Sequence, residues 1–447
     1  MATRLGHHQQ GIMHGYFEEA LMAQYVITPS NSIAAILGEA EPGDTILFRG
    51  GIYNQGRITI NASGMAGAPI ELAAYPGEHV VWQTDADDRI LQVNGNYITI
   101  TGIDMDKEFN RHMVMRVYGE HVTIRDCHIH DCRWYTMILV AGHDCTFENN
   151  IIHGNGDGPE RDAHAIVDRG DADRVSLIGN TIYDVCGDCF QSEEAVGYTD
   201  GHRIIGNHLY TTLGWRSENA LDFKCGSNCI VSDNEIHGFR DCHYWPDNPD
   251  GLGPDTDYPS GGAGAAMYVH RYTHDMLIEN NRIYDCKMGI RLNASRPENR
   301  GITIRGNTIT NIAWDDANPH WTSGMCAVRV TGGVEDVQIV ENIFDEPQGQ
   351  ALALENSGVP VTLEDNIYDG VPPETTTTTT STSSSTSTTL PPETTTTTTS
   401  TMTTTSTTTT MLPPGPDWKP DILAAIEAAR AAQNAQLDAL QEYVEGY

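Results

Sequence analysis

Short runs of alternating apolar and polar residues recur along most of this chain, each leading into a similar bend. They read VTIRDCHIHDC from Val122, CTFENNIIHGN from Cys145, VSLIGNTIYDV from Val175, HRIIGNHLYTT from His202 and CIVSDNEIHGF from Cys229. MLIENNRIYDC from Met276, ITIRGNTITNI from Ile302, VQIVENIFDEP from Val337 and VTLEDNIYDGV from Val361 continue the series. From Cys145 onward each contains an asparagine: Asn150, Asn180, Asn207, Asn234, Asn281, Asn307, Asn342 and Asn366. Their successive spacings are 30, 27, 27, 47, 26, 35 and 24 residues. Alternation with period two marks half-buried strands, and a repeat of this length marks one coil of a solenoid. Asparagine suits the bend because it tolerates left-handed backbone angles and bonds to nearby backbone. Stacked copies predict an amide ladder inside the coil. The residue two beyond points inward. The next one forms a second stacked column, His130, His153, Tyr183, Tyr210, His237, Tyr284, Phe344 and Tyr368. Its histidines read as structural stacking.

These patterns predict an all-β chain: a right-handed parallel β-helix with an N-terminal capping helix, a Thr-rich linker and a C-terminal α-helix. The expected boundaries are an arm over 1–30, the β-helix over 31–370, the linker over 371–416 and the helix over 417–447. Ser32–Asn54 reads as an amphipathic helix, a Pro-Gly-Asp turn and a strand, the cap that a solenoid end requires. Pro372–Pro416 is almost entirely Thr, Ser and Pro, and it cannot bury a core. The last segment carries Ile422, Ile426, Ala429, Leu437, Leu440 and Val444 on a narrow stripe. A single helix of that size is marginal alone, so it calls for self-association or docking on a larger assembly.

Charge narrows the partners. The chain has 61 acidic and 26 basic residues in 447, a net charge of −35. Such a surface repels nucleic acid and anionic membrane. There is no apolar run long enough to span a bilayer, and the first residues show no apolar signal-peptide core. An extracellular or virion-surface setting fits the acidity, and acidic loops suit Ca²⁺. The ten cysteines are even in number, which permits disulfides. The close pairs Cys186/Cys189 and Cys225/Cys229 are flanked by strand and turn residues rather than by a zinc knuckle.

Candidate chemistry lies on a second strand of each coil: HAIVD from His164, DCFQS from Asp188, ALDFK from Ala220, AMYVH from Ala266, GIRLN from Gly289 and AVRVT from Ala327. With Val167, Phe190, Phe223, Val269, Leu292 and Val330 inward, one outward column is Asp168, Gln191, Lys224, His270, Asn293 and Thr331. The other is Ile166, Cys189, Asp222, Tyr268, Arg291 and Arg329. Asp222, Lys224, Tyr268, His270, Arg291 and Arg329 then form a local cationic cluster on an acidic protein. Asp188 reads as a metal ligand or acid, or more plainly as a turn cap. The insertion 240–264 emerges beside this face, and its Tyr244 and Trp245 suit stacking on sugar rings. The plainer reading of Lys224 is a solvated lysine paired with Asp222.

The cap from Pro42 to Val81 and the stretch from Ser217 to Asn281 resemble the pectate-lyase-like right-handed β-helix superfamily. Within it they are most similar to the polysaccharide lyases that include alginate lyases and chondroitinase B. Similar caps occur on phage tailspikes. The resemblance implies β-elimination on an acidic, uronate-containing polysaccharide. It puts Lys224 at the catalytic lysine and Glu218 and Asn219 in a Ca²⁺-binding stretch. The assisting arginine falls on Arg271 by spacing and on His270 by strand phase. Where those lyases have Arg-His-Gly, this chain has His-Arg-Tyr. Arg291 is a further cation for the site. Two other functions remain open. One is a glycoside hydrolase using Asp222 with Glu218, Asp188 or Asp168. The other is a non-catalytic glycan-binding spike or fibre held by its C-terminal helix to a virion.

Overall fold

The alternating runs assemble into three parallel sheets of 14, 12 and 11 strands. Each coil contributes one strand to each sheet in turn, as in Thr123–Arg125, His128–Cys132 and Thr136–Val140. Among the described strands, one pairing is antiparallel: it joins Thr3–Gly6 to Ala23–Ile27, which already belongs to the largest sheet. The architecture is the right-handed parallel β-helix that the repeat predicts. In this computed structural model the described residues are 3–6, 23–84, 87–155, 163–169, 172–193, 199–212, 217–239, 264–294, 299–312, 326–332, 334–345, 350–355 and 361–368. The chain divides into two compact units, 1–384 and 385–447, and every described residue lies in the first. The linker, the C-terminal helix, Tyr244 and Trp245 therefore lie outside the described residues.

The core fills the coils. In the 14-stranded sheet Ile124, Phe147, Leu177, Ile204, Val231, Ile278, Ile304 and Ile339 stack in register and are buried. In the 12-stranded sheet Ile129, Ile152, Ile182, Leu209, Ile236, Ile283, Ile309 and Phe344 do the same. Each such side chain contributes about 1.5–3 kcal/mol of burial. Phe344 and Tyr368 thus belong to the inward column rather than to the outer stack, because each stands two residues after its asparagine rather than three. The outer stack runs from His130 to Tyr284, with neighbouring ring centroids 4.6–5.4 Å apart.

The amide ladder is continuous. From Asn150 to Asn342, each side-chain Nδ2 donates to Oδ1 of the next asparagine at 2.8–3.0 Å. Each also donates to a carbonyl of the preceding coil, as Asn234 does to Ile204 at 2.8 Å. The ladder residues are buried but fully bonded, so they stabilise the bend at little desolvation cost. The left-handed angle falls one residue earlier, on Asn149, Gly179, Gly206, Asp233, Asn280, Gly306, Glu341 and Asp365. The ladder asparagine supplies the bonds, and its predecessor supplies the turn.

The N-terminal helix is short, Ile33–Leu37, with Ile33 and Leu37 buried. Ser32 caps it by accepting from Ala35 N at 3.3 Å. All nine described cysteines are buried free thiols, so no disulfide forms among the described residues. Burial pushes the thiols of Cys127, Cys145 and Cys229 up to about 12.

Candidate active site

The candidate site is on the outer face of the 11-stranded sheet. In the strand Leu221–Ser227, Leu221 and Phe223 fill the core, so Asp222 and Lys224 face outward. Register places Gln191, Asp222, Tyr268, Arg291 and Arg329 side by side across five strands. The cluster expected from the sequence is therefore brought together.

Two strands differ in phase from the expectation, His164–Asp168 and Phe190–Ser192. Gln191 stands level with Asp222, not Lys224, and Cys189 leaves that column altogether. Asp168 is not on the outer face. It shares the inward column of Ser192 and Phe223, while Val167 faces out beside Gln191. An aspartate can lie inside because His202 Nε2 is 2.6 Å from its Oδ2, with both side chains fully buried. His202 Nδ1 accepts the Val175 N–H at 3.2 Å, which leaves the ring proton on Nε2 facing Asp168. Pairing makes the burial tolerable, and the aliphatic pattern gave no sign of it.

Asp222 is the buried hinge of the cluster. Its Oδ1 lies 2.7 Å from His270 Nε2 and its Oδ2 3.3 Å from Lys224 Nζ. Burial pushes its carboxyl up, but the His270 hydrogen bond and the charges of His270 and Lys224 outweigh this and hold it below the usual range. Tyr268 makes two ring contacts. His270 stacks on it at 4.1 Å, and the Arg291 guanidinium lies 4.6 Å from the ring centroid. Asn293 donates to the Tyr268 hydroxyl at 2.9 Å. This lattice positions Arg291, with Arg329 next to it in register.

A β-bulge separates His270 from Arg271. Phe223 pairs with Val269, yet Cys225 pairs with Tyr272, so Ala265–His274 holds one extra residue opposite Lys224. Arg271 takes it up at φ 58°, a left-handed angle uncommon for a long side chain. His270 remains on Asp222, whereas Arg271 lines a cleft together with Lys224. The arginine matched by spacing and the histidine matched by phase thus occupy different places.

That cleft has a volume of about 540 Å³. Its apolar lining is Met113, Trp134, Tyr135, Leu139 and Val167, of which Met113, Leu139 and Val167 form a small cluster apart from the core. Its charged lining is Arg116, Arg169, Lys224 and Arg271, with Glu193 the one carboxylate among the described lining residues. Thr136, His164 and Gln191 complete it. Sequence reasoning passed over Arg116, Trp134, Tyr135 and Arg169. The paired aromatics just before the strand Thr136–Val140 were the available signal.

Of the three residues expected to hold Ca²⁺, Asp188 and Asn219 have their ligand atoms committed elsewhere. Asp188 is fully buried, and its Oδ1 accepts Asn219 N at 3.1 Å and Asn219 Nδ2 at 3.0 Å. Its Oδ2 accepts from Gln191 Nε2 at 3.1 Å and lies 3.1 Å from His164 Nδ1. Asn219 Oδ1 accepts from Ala265 N at 3.1 Å. Glu218 donates its N–H to Gly187 O at 3.3 Å. A hard cation needing six to eight oxygens does not fit a carboxylate and amide saturated by N–H donors. The Asp188–Asn219 pair tightens the turn into the strand that carries Lys224.

A family model described as the Pel9A-like right-handed β-helix region matches residues 22–244. A second, described as the right-handed β-helix region, matches residues 163–367. No curated protein matches. Among solved structures, an alginate lyase from Paenibacillus sp. str. FPU-7 is 16% identical, with 75% of this chain and 98% of that one covered at TM-score 0.44. Pectate lyase Pel9A is 18% identical over 77% of this chain and 79% of its own, at TM-score 0.45. A DFA-IIIase from Arthrobacter chlorophenolicus A6 is 11% identical over 76% and 93%, at TM-score 0.51. At these identities the likeness is one of fold.

Proposed function

The chain belongs to the right-handed β-helix proteins, with a Pel9A-like region over residues 22–244, and we propose on that premise that it is a polysaccharide lyase acting on uronate glycans. One observation carries the reading. A protein of net charge −35 gathers Arg116, Arg169, Lys224 and Arg271 around one cleft that aromatic and aliphatic residues also line. Sugar rings would lie on Trp134 and Tyr135, and their carboxylates would meet the guanidinium groups.

In β-elimination a base removes the proton at C5, beside the carboxylate, and the glycosidic bond at C4 breaks. Negative charge develops on the carboxylate as an enolate, and a fixed cation stabilises it. Arg271 is the best-placed candidate, since it shares the cleft with Lys224, and Arg291 and Arg329 extend the cationic surface. Lys224 is the candidate base. The positive charge of Arg271 favours its neutral form, while Asp222 at 3.3 Å opposes it. His270 acts through Asp222 as a positioning residue.

The Lys224–Asp222 pair also motivates a second reading, in which the face binds glycan without turnover. The Thr-rich segment and the apolar stripe of 417–447 suit a tether, and a virion-borne setting fits either reading. A hydrolase gains less support, because Asp222 is buried in an ion pair and Asp168 is interior.

The deciding experiment follows the ultraviolet absorbance of unsaturated uronate on alginate, pectate, chondroitin sulfate and dermatan sulfate, each with Ca²⁺ or EDTA. A rise on one polymer that Lys224→Ala abolishes establishes the lyase. Reducing ends released without that absorbance would identify a hydrolase. Retained binding without either product would identify an adhesin.

A further inference from the structure

A separate cluster lies on the 12-stranded sheet, away from the cleft. Asp104, His128, His130 and His153 come from three consecutive strands, Asp104–Asn110, His128–Cys132 and Ile151–Asn155. Register sets His128 beside Asp104 and His130 beside His153. His128 Nε2 and His153 Nε2 face each other at 2.8 Å. Potential ligand atoms of His128, His130 and His153 all lie within 4.8 Å of one another. The aromatic stack explains why these rings are parallel. It does not explain why three imidazole nitrogens converge.

We propose that His128, His130 and His153 bind a borderline divalent transition-metal ion such as Zn²⁺, with Asp104 orienting His128. Imidazole nitrogen is the preferred donor for such ions. His128 turns Nδ1 toward Asp104 Oδ1 at 3.7 Å, which leaves Nε2 directed at the shared point. The same oxygen lies 2.8 Å from His130 Nε2, and the other oxygen lies 2.8 Å from His79 Nε2. A carboxylate behind a ligating imidazole fixes ring orientation and raises donor strength. His128 is partly exposed, which gives an ion a way in. His130 sits between two carboxylates, Nε2 on Asp104 Oδ1 at 2.8 Å and Nδ1 3.0 Å from Asp131 Oδ2, so its ligation requires that one of them be released.

The fold contains its own control. His208 Nε2 and His237 Nε2 make the same diagonal contact at 2.9 Å farther along the sheet. There the place equivalent to His130 is Tyr210, and no third imidazole joins. Glu235, beside His208, is occupied by Arg282 at 2.5 Å. The first cluster should bind and the second should not.

The test is calorimetric titration of the full chain, stripped with EDTA, with Zn²⁺ and separately with Ca²⁺. One saturable Zn²⁺ site is expected, with none for Ca²⁺. His128→Gln and His153→Phe should abolish it, and Asp104→Asn should weaken it about 10–100-fold. His237→Phe should leave it intact. Co²⁺ absorption should show nitrogen and oxygen ligation without a thiolate charge-transfer band. The wild-type titration needs no variant to fold. Absence of a saturable site, a thiolate band, binding that survives His128→Gln, or binding lost in His237→Phe would each overturn the assignment.

Discussion

Lys224 and Arg271 lie together in one cleft, and their substitutions separate chemistry from stability. Lys224→Ala should lower lyase turnover by about 10²–10⁴-fold, as loss of a general base does. Its effect on denaturant stability should stay within about 1 kcal/mol, since the lost ion pair is only partly buried. Asp222→Asn should shift the rising limb of the activity profile, where Lys224 loses its proton, to lower pH, because the carboxylate no longer favours the ammonium form. The same variant tests stability. A carboxyl held below its usual range stabilises the fold above about pH 4, and that share is lost as pH falls further. Unfolding at descending pH should therefore be less steep in Asp222→Asn than in the wild type.

The element that organises the site is the bulged strand Ala265–His274. Arg271 holds a left-handed angle there, and backbone strain of this kind costs about 1–2 kcal/mol. Arg271→Gly should then be more stable than Arg271→Ala by about 1 kcal/mol in urea unfolding. Both should lose activity, which separates the strain from the guanidinium's function. The ladder is the second element with a clear test. Asn234 accepts from Asn207 and donates to Asn281 and Ile204, all buried. Asn234→Ala should cost about 3 kcal/mol or more, since it leaves buried donors and acceptors unmatched on three coils. Equal stability of that variant and the wild type would show that the ladder only accompanies the bend.

At the scale of the molecule, charge opposes folding while the stacked core and ladder favour it. A chain of net charge −35 should gain thermal stability with added salt, as the screening length falls from about 10 Å at 0.1 M to about 3 Å at 1 M. Scanning calorimetry would read this as a rise of about 2–4 °C per kcal/mol of relieved repulsion. Polymer binding in the cationic cleft should weaken over the same range.

The coil itself was legible in the linear chain. Burial on one strand face imposes period two, and stacking like on like repeats each asparagine, isoleucine and aromatic at coil intervals. Copies reinforce one another, so the asparagine series marked the ladder. The neighbourhood of Asp222, Lys224, Tyr268 and Arg291 followed from the same alignment. What the linear chain left undecided was phase and detour. A slip of strand phase turns an inside residue out, so Asp168 and Gln191 were misplaced where an interior Asp–His pair interrupted the aliphatic pattern. Phe344 was misplaced where the residue after the asparagine was itself apolar. The bulge that sends His270 to Asp222 and Arg271 to the cleft depends on pairing with the neighbouring strand. The aromatic lining at Trp134 and the convergence of His128 with His153 come from different coils. Only the stacked structure brings such residues within contact, because local periodicity carries no information about which side chains meet across it.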